Sequence, residues 1–321
     1  MPIEDLECLA ASGELRHHFN YRLIGGSMRV SVILSTYEQP AWLEKVLWGY
    51  AHQSCGDFDL VVADDGSGPG TREVVACCRR KLGLAIEHVW QPHDGFRKCR
   101  ILNEAIGRSR GDYLVFSDGD CVPHRDFVAT HVAQARPGAF LSGGVLRLPL
   151  PMSKAIGADD IASGLAFDCR QLRAGGCNLW RLRFAAAPRW LAKWGDLVTP
   201  TRASFNGHNS SAWRSDIERV NGFDERMQYG GLDRELGERL VNAGVRGRQI
   251  RHCAICLHLD HPRDYVDPEA TARNREIRWA TGLHRATWTD HGLVSEGRTE
   301  EPVILPFSKP STVSQKMRSA A

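Results

Sequence analysis

Residues 113–120 read Tyr-Leu-Val-Phe-Ser-Asp-Gly-Asp, an apolar run that ends in two carboxylates. Such a run predicts a buried strand that stops at the carboxyl edge of a parallel sheet, where open α/β sheets bind their ligands. Asp118 and Asp120 offer hard oxygen ligands that could hold Mg²⁺ or Mn²⁺ against a diphosphate. An isolated Asp-Gly-Asp is equally consistent with a turn that caps the next helix. Other motifs in the chain are needed to distinguish a metal site from a capping turn.

Length and composition bound what the chain can be. Its 321 residues are enough for one large domain. The formal charge of +3 and the pI near 8.3 are too mild to indicate nucleic acid as a partner. The 10 cysteines lack paired zinc-ligand spacing, and we interpret them as reduced thiols, many of them core residues. Because no apolar run reaches the about 18 residues of a membrane span and the N-terminus is acidic, we expect a cytoplasmic protein.

Apolar strands alternate with amphipathic helices in the first half of the chain. Val30–Ser35, Leu60–Ala63 and Ile86–Trp90 are predicted strands, and a helix is predicted after each of them. This alternation indicates an α/β fold, a mostly parallel, Rossmann-like sheet flanked by helices on both faces.

The second half is less regular. Its predicted strands are 139–148 and 250–258, with an extended segment at 204–213, and its predicted helices are 177–194, 232–243 and 269–288. We expect a single compact domain made of two halves. The boundaries that we predict are an N-terminal extension over 1–28, the two halves over 29–140 and 141–265, and a C-terminal helix and tail over 266–321.

Polar residues follow the predicted strands at one edge of the sheet. Thr36 and Glu38 follow the first strand, and Asp65 follows the second. Carboxylates at such positions can accept hydrogen bonds from a base N–H or from ribose hydroxyls. Each short motif alone is weak, since Asp-Gly-Ser is a common turn, but their recurrence at strand ends favours a binding site.

Taken together, these motifs resemble the family 2 glycosyltransferases of the GT-A type, which transfer a sugar from a nucleotide donor with inversion at the anomeric carbon. The resemblance covers about residues 29–261 and is specific for the family but not for the sugar. It implies that 29–140 is a nucleotide-sugar-binding half and that 141–265 is an acceptor-binding, catalytic half. It is carried by Val30-Ser-Val-Ile-Leu-Ser-Thr-Tyr37, Asp64-Asp65-Gly66-Ser67, Gly95-Phe-Arg-Lys-Cys-Arg-Ile-Leu-Asn103, Asp118-Gly119-Asp120, Phe205-Asn-Gly-His-Asn-Ser-Ser211, Val220-Asn-Gly-Phe-Asp224 and residues 229–240. The last segment is similar to the Gly-Gly-Glu-Asp segment of galactosyl- and chondroitin-type transferases.

The resemblance implies a set of donor and metal contacts. Thr36, Glu38 and Asp65 would hold the base and ribose of a nucleotide sugar, most simply a UDP-sugar. Asp118 would contact the ribose or the metal, and Asp120 would be the main ligand of Mn²⁺ or Mg²⁺. His258 resembles a distal histidine that completes the metal shell, with His261 as the other candidate. An imidazole ligand suits Mn²⁺ better than Mg²⁺.

The resemblance also implies a catalytic base and a phosphate-binding segment. The family position of the base falls on Asp233, but Leu232 stands where an acidic residue is usual, so Glu235 is the second candidate. Cations at a helix start suit a diphosphate, and Arg97, Lys98 and Arg100 enter a predicted helix. A basic cluster of three is equally consistent with a solvated helix face. Further expected roles are donor binding for Asn103, which would orient the backbone of the donor site, and acceptor binding for Asn206, His208 and Asn209.

The segment from Asn178 to Trp194 interleaves Trp, Leu and Phe with Arg and Lys. Three interpretations stay open: a helix lying on an anionic membrane, an acceptor-site flap whose indoles stack on sugar, and a core helix interrupted by Pro188. The first would make the protein peripheral on the inner face of the membrane.

We therefore expect a metal-dependent inverting glycosyltransferase that uses a nucleotide sugar and a glycan or lipid-linked acceptor, as in surface polysaccharide or lipopolysaccharide synthesis. One alternative is a nucleotidyltransferase, although Ser35-Thr36-Tyr37-Glu38 lacks the Gly-rich basic loop usual there. The other is a catalytically silent nucleotide-sugar-binding or membrane-associated scaffold, which would not need both Asp120 and Asp233.

Overall fold

The computed structural model describes residues 22–23, 26–177, 189–199, 201–262, 266–294 and 303–304. The strands are β1 (Arg22–Leu23), β2 (Gly26–Ser27), β3 (Val30–Thr36), β4 (Asp59–Asp64), β5 (Ile86–Trp90), β6 (Tyr113–Asp118), β7 (Cys121–Pro123), β8 (Ala139–Ser142), β9 (Gly144–Arg147), β10 (Asn209–Trp213), β11 (Arg246–Gln249), β12 (Ile255–His258) and β13 (Val303–Ile304). The helices are α1 (Pro40–Ala51), α2 (Pro69–Leu82), α3 (Lys98–Arg108), α4 (Phe127–Gln134), α5 (Leu150–Ala155), α6 (Ala158–Ser163), α7 (Cys169–Ala174), α8 (Arg189–Val198), α9 (Arg214–Arg219), α10 (Leu232–Asn242) and α11 (Pro268–Leu283).

A central sheet carries the fold. Its strand order is β11-β8-β10-β6-β3-β4-β5-β13. Strands β6, β3, β4 and β5 are parallel, whereas β10 runs antiparallel to both β6 and β8. Because β10 lies between β6 and β8, the two halves of the chain share one sheet. The predicted α/β class with a mainly parallel sheet flanked by helices is confirmed.

The period-2 alternation of strand side chains builds a core on each face of this sheet. In β6, Tyr113 and Val115 pack on one face and Leu114 and Phe116 on the other, and all four are buried. Helices α1 and α2 cover the first face, and α3 and α10 cover the second. With both faces covered, the polar ends of the strands are left to form a site.

A second, three-stranded sheet sits beside the first in the order β7-β12-β9. The predicted single strand 139–148 is in fact two strands, β8 and β9, in different sheets. The chain changes sheets at Gly143, where a Cβ atom would lie 2.0 Å from the Asn209 side chain, and at Gly144, where it would lie 2.1 Å from the Arg251 carbonyl oxygen. Close approach of backbone to neighbouring groups therefore requires glycine at both positions.

Other predicted bounds also shift. The predicted strand 250–258 is confined to β12 because residues 250–253 form a turn, and the predicted final helix ends earlier, at Leu283. Of the predicted helix 177–194, residues 178–188 lie outside the described residues. In the part of the chain that the structure describes, no helix has both the length and the apolar character to cross a bilayer.

A buried polar network joins α4 to the centre of the sheet. His131 is fully buried, and its ring nitrogens lie 2.7 Å from Ser211 Oγ and 2.9 Å from Asn209 Oδ1. The Tyr113 hydroxyl lies 2.7 Å from the same Ser211 Oγ. Burial lowers the pKa of His131 to about 4, although the hydrogen bond with Asn209 opposes the shift. The folded protein therefore holds this imidazole neutral.

This network predicts acid sensitivity. Between pH 6.5, the ordinary pKa of histidine, and about pH 4, the unfolded chain binds a proton at His131 that the folded chain does not. The free energy of unfolding should thus fall as the pH falls, by about 2 kcal/mol from this group between about pH 7 and pH 5. Urea denaturation at both pH values tests it, with His131→Gln as the comparison. The variant should lose less stability on acidification than the parent, and equal losses would contradict the assignment.

Candidate functional site

The candidate site lies at the carboxyl edge of the central sheet. β3 ends at Thr36, β4 at Asp64 and β6 at Asp118, so the polar residues that follow these strands meet there. The N-termini of α3 and α10 supply Lys98 and Asp233 to the same region. The edge that sequence predicted as polar is thus the edge where these elements converge.

Asp65 follows β4 and is only 6% exposed. Its Oδ1 accepts a hydrogen bond from Gln91 Nε2 (2.6 Å), and its Oδ2 accepts one from the backbone N–H of Arg97 (2.9 Å). Burial raises the pKa of the Asp65 carboxyl, and these hydrogen bonds oppose that shift. Nothing in the sequence pointed to Gln91, because it belongs to none of the motifs.

The loop after β3 adjoins Asp65, whose backbone N–H donates to the Thr36 carbonyl (3.1 Å). Glu38 adopts a positive φ of 48°, and its Oε1 accepts a hydrogen bond from Gly68 N (2.8 Å). The Tyr37 ring stacks on His93 with the ring centroids 4.8 Å apart and remains 42% exposed. Thr36 is buried at the end of β3. A flat aromatic surface beside a buried carboxylate is suited to a planar, hydrogen-bonding ligand such as a nucleobase.

Lys98 and Asp118 form an ion pair at the centre of the edge. Lys98 Nζ lies 2.6 Å from Asp118 Oδ1, and Ser35 Oγ donates a hydrogen bond of 2.6 Å to the same oxygen. Burial by itself would lower the pKa of Lys98 and raise the pKa of Asp118. The attraction between the two charges outweighs burial, so the pKa of Lys98 is raised and that of Asp118 is lowered to about 2. The carboxylate is therefore ionised at neutral pH. Ser35 is a contributor that sequence reasoning did not single out.

Asp120 faces the imidazoles of His258 and His261, which are distant from it in the sequence. His261 Nε2 lies 2.9 Å and His258 Nε2 3.7 Å from Asp120 Oδ2, and the two rings stack with centroids 5.6 Å apart. Ligand atoms of Asp120, His258 and His261 all lie within 4.8 Å of one another, as do those of Asp118, Asp120 and Cys121. The structure thus brings together both histidines that the sequence left as alternatives.

The Asp120, His258 and His261 set fits a divalent cation. One carboxylate oxygen and two imidazole nitrogens, all partly exposed, leave room for further ligands. Imidazole suits transition metals such as Mn²⁺ better than Mg²⁺, which prefers oxygen ligands.

Asp233 is the second residue of helix α10. Gly230 and Gly231, with φ values of 109° and 88°, turn the chain into this helix, a conformation that favours glycine. Asp233 Oδ2 accepts a hydrogen bond from Gly207 N (2.8 Å), and its charge helps to raise the pKa of Lys98. The carboxylate is partly exposed, as a proton acceptor must be to reach a substrate.

Glu235 is withdrawn from the site, which corrects the expectation that it could serve as the base. It is 1% exposed, and its Oε1 and Oε2 accept hydrogen bonds from Arg239 at 2.8 and 2.7 Å. Thr281 Oγ1 donates a further hydrogen bond to Oε1 (2.9 Å). Arg239 is itself fully buried and donates to the Val220 and Gly222 carbonyls. The pair joins α10 to α11 and to the preceding loop.

Two other predicted ligand contacts prove to be internal. Asn103 is 1% exposed, and its side chain bonds both the N–H and the carbonyl of Phe223, so it cannot touch a bound nucleotide directly. Asn209 is fully buried and divides its hydrogen bonds between His131 and the carbonyls of Gly144 and Ala254. The structure corrects the expectation of direct ligand contact for both side chains.

Asn206 and His208 lie on the loop that Asp233 contacts through Gly207. Asn206 Nδ2 donates to Ser142 Oγ (3.1 Å). Burial lowers the pKa of His208, and the charges of Asp118 and Asp233 oppose that shift. The loop therefore adjoins the carboxylates.

The Trp- and Arg-rich segment is described only from Arg189 onward, within α8. One face of α8 buries Ala192, while Trp194, Leu197 and Val198 are 62%, 82% and 60% exposed. Of these three, Trp194 belongs to the segment, and its exposure shows that this indole does not pack in the core.

The fold and this edge define an α/β protein that presents acidic and imidazole groups where nucleotide ligands bind. Residues 31–145 match the model of glycosyl transferase family 2, and residues 200–262 match the N-terminal domain of galactosyltransferase. The chain belongs to glycosyl transferase family 2.

Relatives of known sequence agree with this placement. An uncharacterized glycosyltransferase, YfnE of Bacillus subtilis, is 31% identical over 268 residues, which are 73% of this chain and 66% of the relative. Validoxylamine A glucosyltransferase of Streptomyces hygroscopicus subsp. jinggangensis is 29% identical over 67% of this chain and 52% of its own. The matched region thus spans about two thirds or less of these relatives' length.

Solved structures show the same GT-A fold. A mannosyltransferase from Pyrobaculum calidifontis, solved with GDP-Man and Mn²⁺, has a TM-score of 0.51 at 21% identity and covers 82% of this chain and 64% of its own. TarS of Staphylococcus aureus, solved with UDP-GlcNAc, has a TM-score of 0.54 at 16% identity and covers 80% and 69%.

The buried position of Asn103 predicts a structural role. Asn103→Ala would leave the Phe223 N–H and carbonyl unpaired in the core and should lower the free energy of unfolding by about 1–3 kcal/mol. Nucleotide affinity of the folded variant should stay within about twofold of the parent's. Urea denaturation and calorimetry measure the two, with exposed Arg110→Ala as control. Lost nucleotide binding in a stably folded variant would restore the donor role.

Proposed function

We propose that this protein transfers a sugar, with inversion, from a nucleoside diphosphate donor to a hydroxyl group of a glycan or glycolipid, in a reaction that needs a divalent metal ion. The observation that carries the proposal is the convergence of Asp120, His258 and His261 at the carboxyl edge of the sheet, beside Lys98 and a partly exposed Asp233.

Asp65 is the centre of the proposed nucleobase site. A carboxylate held by Gln91 and by the Arg97 amide keeps lone pairs that accept from a base N–H. Uracil and guanine present such a donor, and we propose a UDP-sugar. The solved relatives carrying UDP-GlcNAc and GDP-Man support a nucleotide sugar as the donor class.

Positive charge for the diphosphate comes from Lys98 at the start of α3, whose N-terminal N–H groups add to it. Asp118 orients the Lys98 ammonium through their 2.6 Å contact. Asp120, His258 and His261 would hold the metal, and Mn²⁺ bound there would act as a Lewis acid that offsets charge on the leaving diphosphate.

Asp233 is the proposed general base. The acceptor O–H bond breaks with its proton passing to the Asp233 carboxylate, while the acceptor oxygen forms the new bond to the anomeric carbon. The bond from that carbon to the diphosphate oxygen breaks, and the electron pair leaves with the nucleoside diphosphate. The hydrogen bond from Gly207 N holds Asp233 Oδ2 in place, so the carboxylate is positioned before substrate arrives.

We also propose that the acceptor is presented at an anionic membrane surface. Trp194 and Leu197 expose apolar surface on α8, and the exposed Lys193 on the same helix and Arg202 beyond its end supply positive charge. Apolar and basic groups combined on one helix suit an anionic lipid interface.

The metal role is tested with Asp120→Ala. This variant should lose Mn²⁺-dependent UDP binding, because the central ligand of the set is gone, while its melting temperature stays close to the parent's. Calorimetry of UDP with and without Mn²⁺ measures the effect. Asp260→Ala, which removes an exposed carboxylate between the two histidines, is the control and should bind as the parent does. Unchanged Mn²⁺ dependence in Asp120→Ala would rule out the site.

The base is tested with Asp233→Asn. Turnover of UDP-sugar should fall by about 10²–10⁴-fold with donor affinity retained, the range expected for loss of a general base. The amide oxygen can still accept from Gly207 N, so the loop should hold its shape. Glu269→Gln, a carboxylate in the first turn of α11, is the matched control. Near-parental turnover of Asp233→Asn would contradict the assignment.

Membrane association is tested by flotation with vesicles that contain phosphatidylglycerol. Trp194→Ala combined with Leu197→Ala should float several-fold less than the parent, because the apolar anchor is removed. Trp279→Ala is the control, since that indole is 67% exposed on a different helix. No flotation of the parent, or equal flotation of the α8 variant, would refute the proposal.

A further inference from the structure

The carboxylate of Asp120 is held on both of its oxygens. Oδ2 faces His261 Nε2 at 2.9 Å and His258 Nε2 at 3.7 Å. Oδ1 accepts a hydrogen bond from the Cys121 thiol, with Sγ at 3.2 Å. Cys121 is fully buried. The imidazoles and the thiol therefore contact different oxygens of the same carboxylate.

The backbone alone does not orient this carboxylate. Leu259 N donates to the Asp120 carbonyl at 2.8 Å, and Cys121 pairs in register with His258. These bonds place the Asp120 Cα opposite the histidines. Rotation about the terminal torsion of an aspartate is broad, however, so main-chain bonds leave the direction of the two oxygens open.

We propose that Cys121 is a positioning residue for the metal: its thiol fixes Oδ1 of Asp120 so that Oδ2 is presented to the ion together with His258 and His261. This inference rests on the proposed function, since it concerns the same metal site. Hydrogen bonds from outside the ligand set orient a ligating carboxylate and raise metal affinity. No sequence motif points to this role, because a buried cysteine usually acts as a small core residue.

The thiol is itself held in a buried layer beneath the site. Cys121 lies against the Cys256 thiol. Cys256 Sγ in turn lies 3.8 Å from Asn209 Nδ2 and 3.6 Å from the Gly144 carbonyl oxygen. Asn209 connects this layer to the His131 network. The donor to Asp120 is therefore anchored to the sheet.

Alanine and serine have nearly equal volumes, so replacing Cys121 by each of them distinguishes loss of the hydrogen bond from loss of packing. Serine and alanine both lose the sulfur atom, but only serine keeps a donor that can reach Asp120. Cys121→Ala should weaken Mn²⁺ binding about 10-fold, the lower end of the range for lost outer hydrogen bonds. Cys121→Ser should recover most of that loss. Cys78→Ala, another buried thiol, is the control and should bind Mn²⁺ as the parent does.

Mn²⁺ affinity is measured by electron paramagnetic resonance titration of the full chain without nucleotide, and folding is checked by circular dichroism. In turnover assays, the Mn²⁺ concentration for half-maximal rate should rise in Cys121→Ala, while kcat at saturating Mn²⁺ stays within about twofold.

Equal loss of Mn²⁺ affinity in the Ala and Ser variants would show that packing alone matters and would overturn the proposal. Parental affinity in Cys121→Ala would overturn it as well. A parent chain that binds no Mn²⁺ would instead refute the metal site of the proposed function, and the inference with it. Mn²⁺ binding by the parent chain therefore distinguishes failure of this inference from failure of the proposed function.

Discussion

The antiparallel pairing of β7 with β12 is the constraint on which the rest of the site depends. It sets Cys121 opposite His258, and so brings Asp120 to two histidines that follow it by 138 and 141 positions. A slip of one residue would turn every side chain of β12 to the opposite face. The cluster of one carboxylate and two imidazoles would then not exist. Register, rather than the local Asp-Gly-Asp motif, makes the candidate metal centre.

The two carboxylates of Asp-Gly-Asp are chemically separated although only Gly119 lies between them. Asp118, at the end of β6, is engaged by Lys98 and Ser35 and is strongly acidic. Asp120 turns into the second sheet and meets the histidines. A Cβ on Gly119 would lie 3.0 Å from Thr36 Oγ1, so the turn needs a small residue there. One motif thus supplies one carboxylate that pairs with the Lys98 ammonium and one that is suited to bind a metal ion.

Helix α10 carries both a candidate catalytic residue and a residue that stabilises the core. Residues two apart on a helix point roughly 200° away from each other. Asp233 therefore faces the site, while Glu235 enters the core and pairs with Arg239. That buried pair also holds the carbonyls of Val220 and Gly222. Breaking a buried ion pair leaves one uncompensated charge and costs several kcal/mol, so Glu235 contributes by holding the helix that carries the candidate base.

The sequence by itself determined the class of sheet, the polar strand ends and the family, because apolar periodicity and short motifs are local properties. Strands β3 to β6 and helix α3 lie close to where their periodicity predicts them. Only the tertiary structure decided that Glu235, Asn103 and Asn209 are internal, and that His258 and His261 both reach Asp120. Those outcomes depend on burial and on contacts between segments far apart in the chain, as for Asn103 with Phe223 at 120 positions and Asp120 with His261 at 141 positions. The sequence identifies the candidate polar side chains, and long-range packing determines which of them are exposed to a substrate.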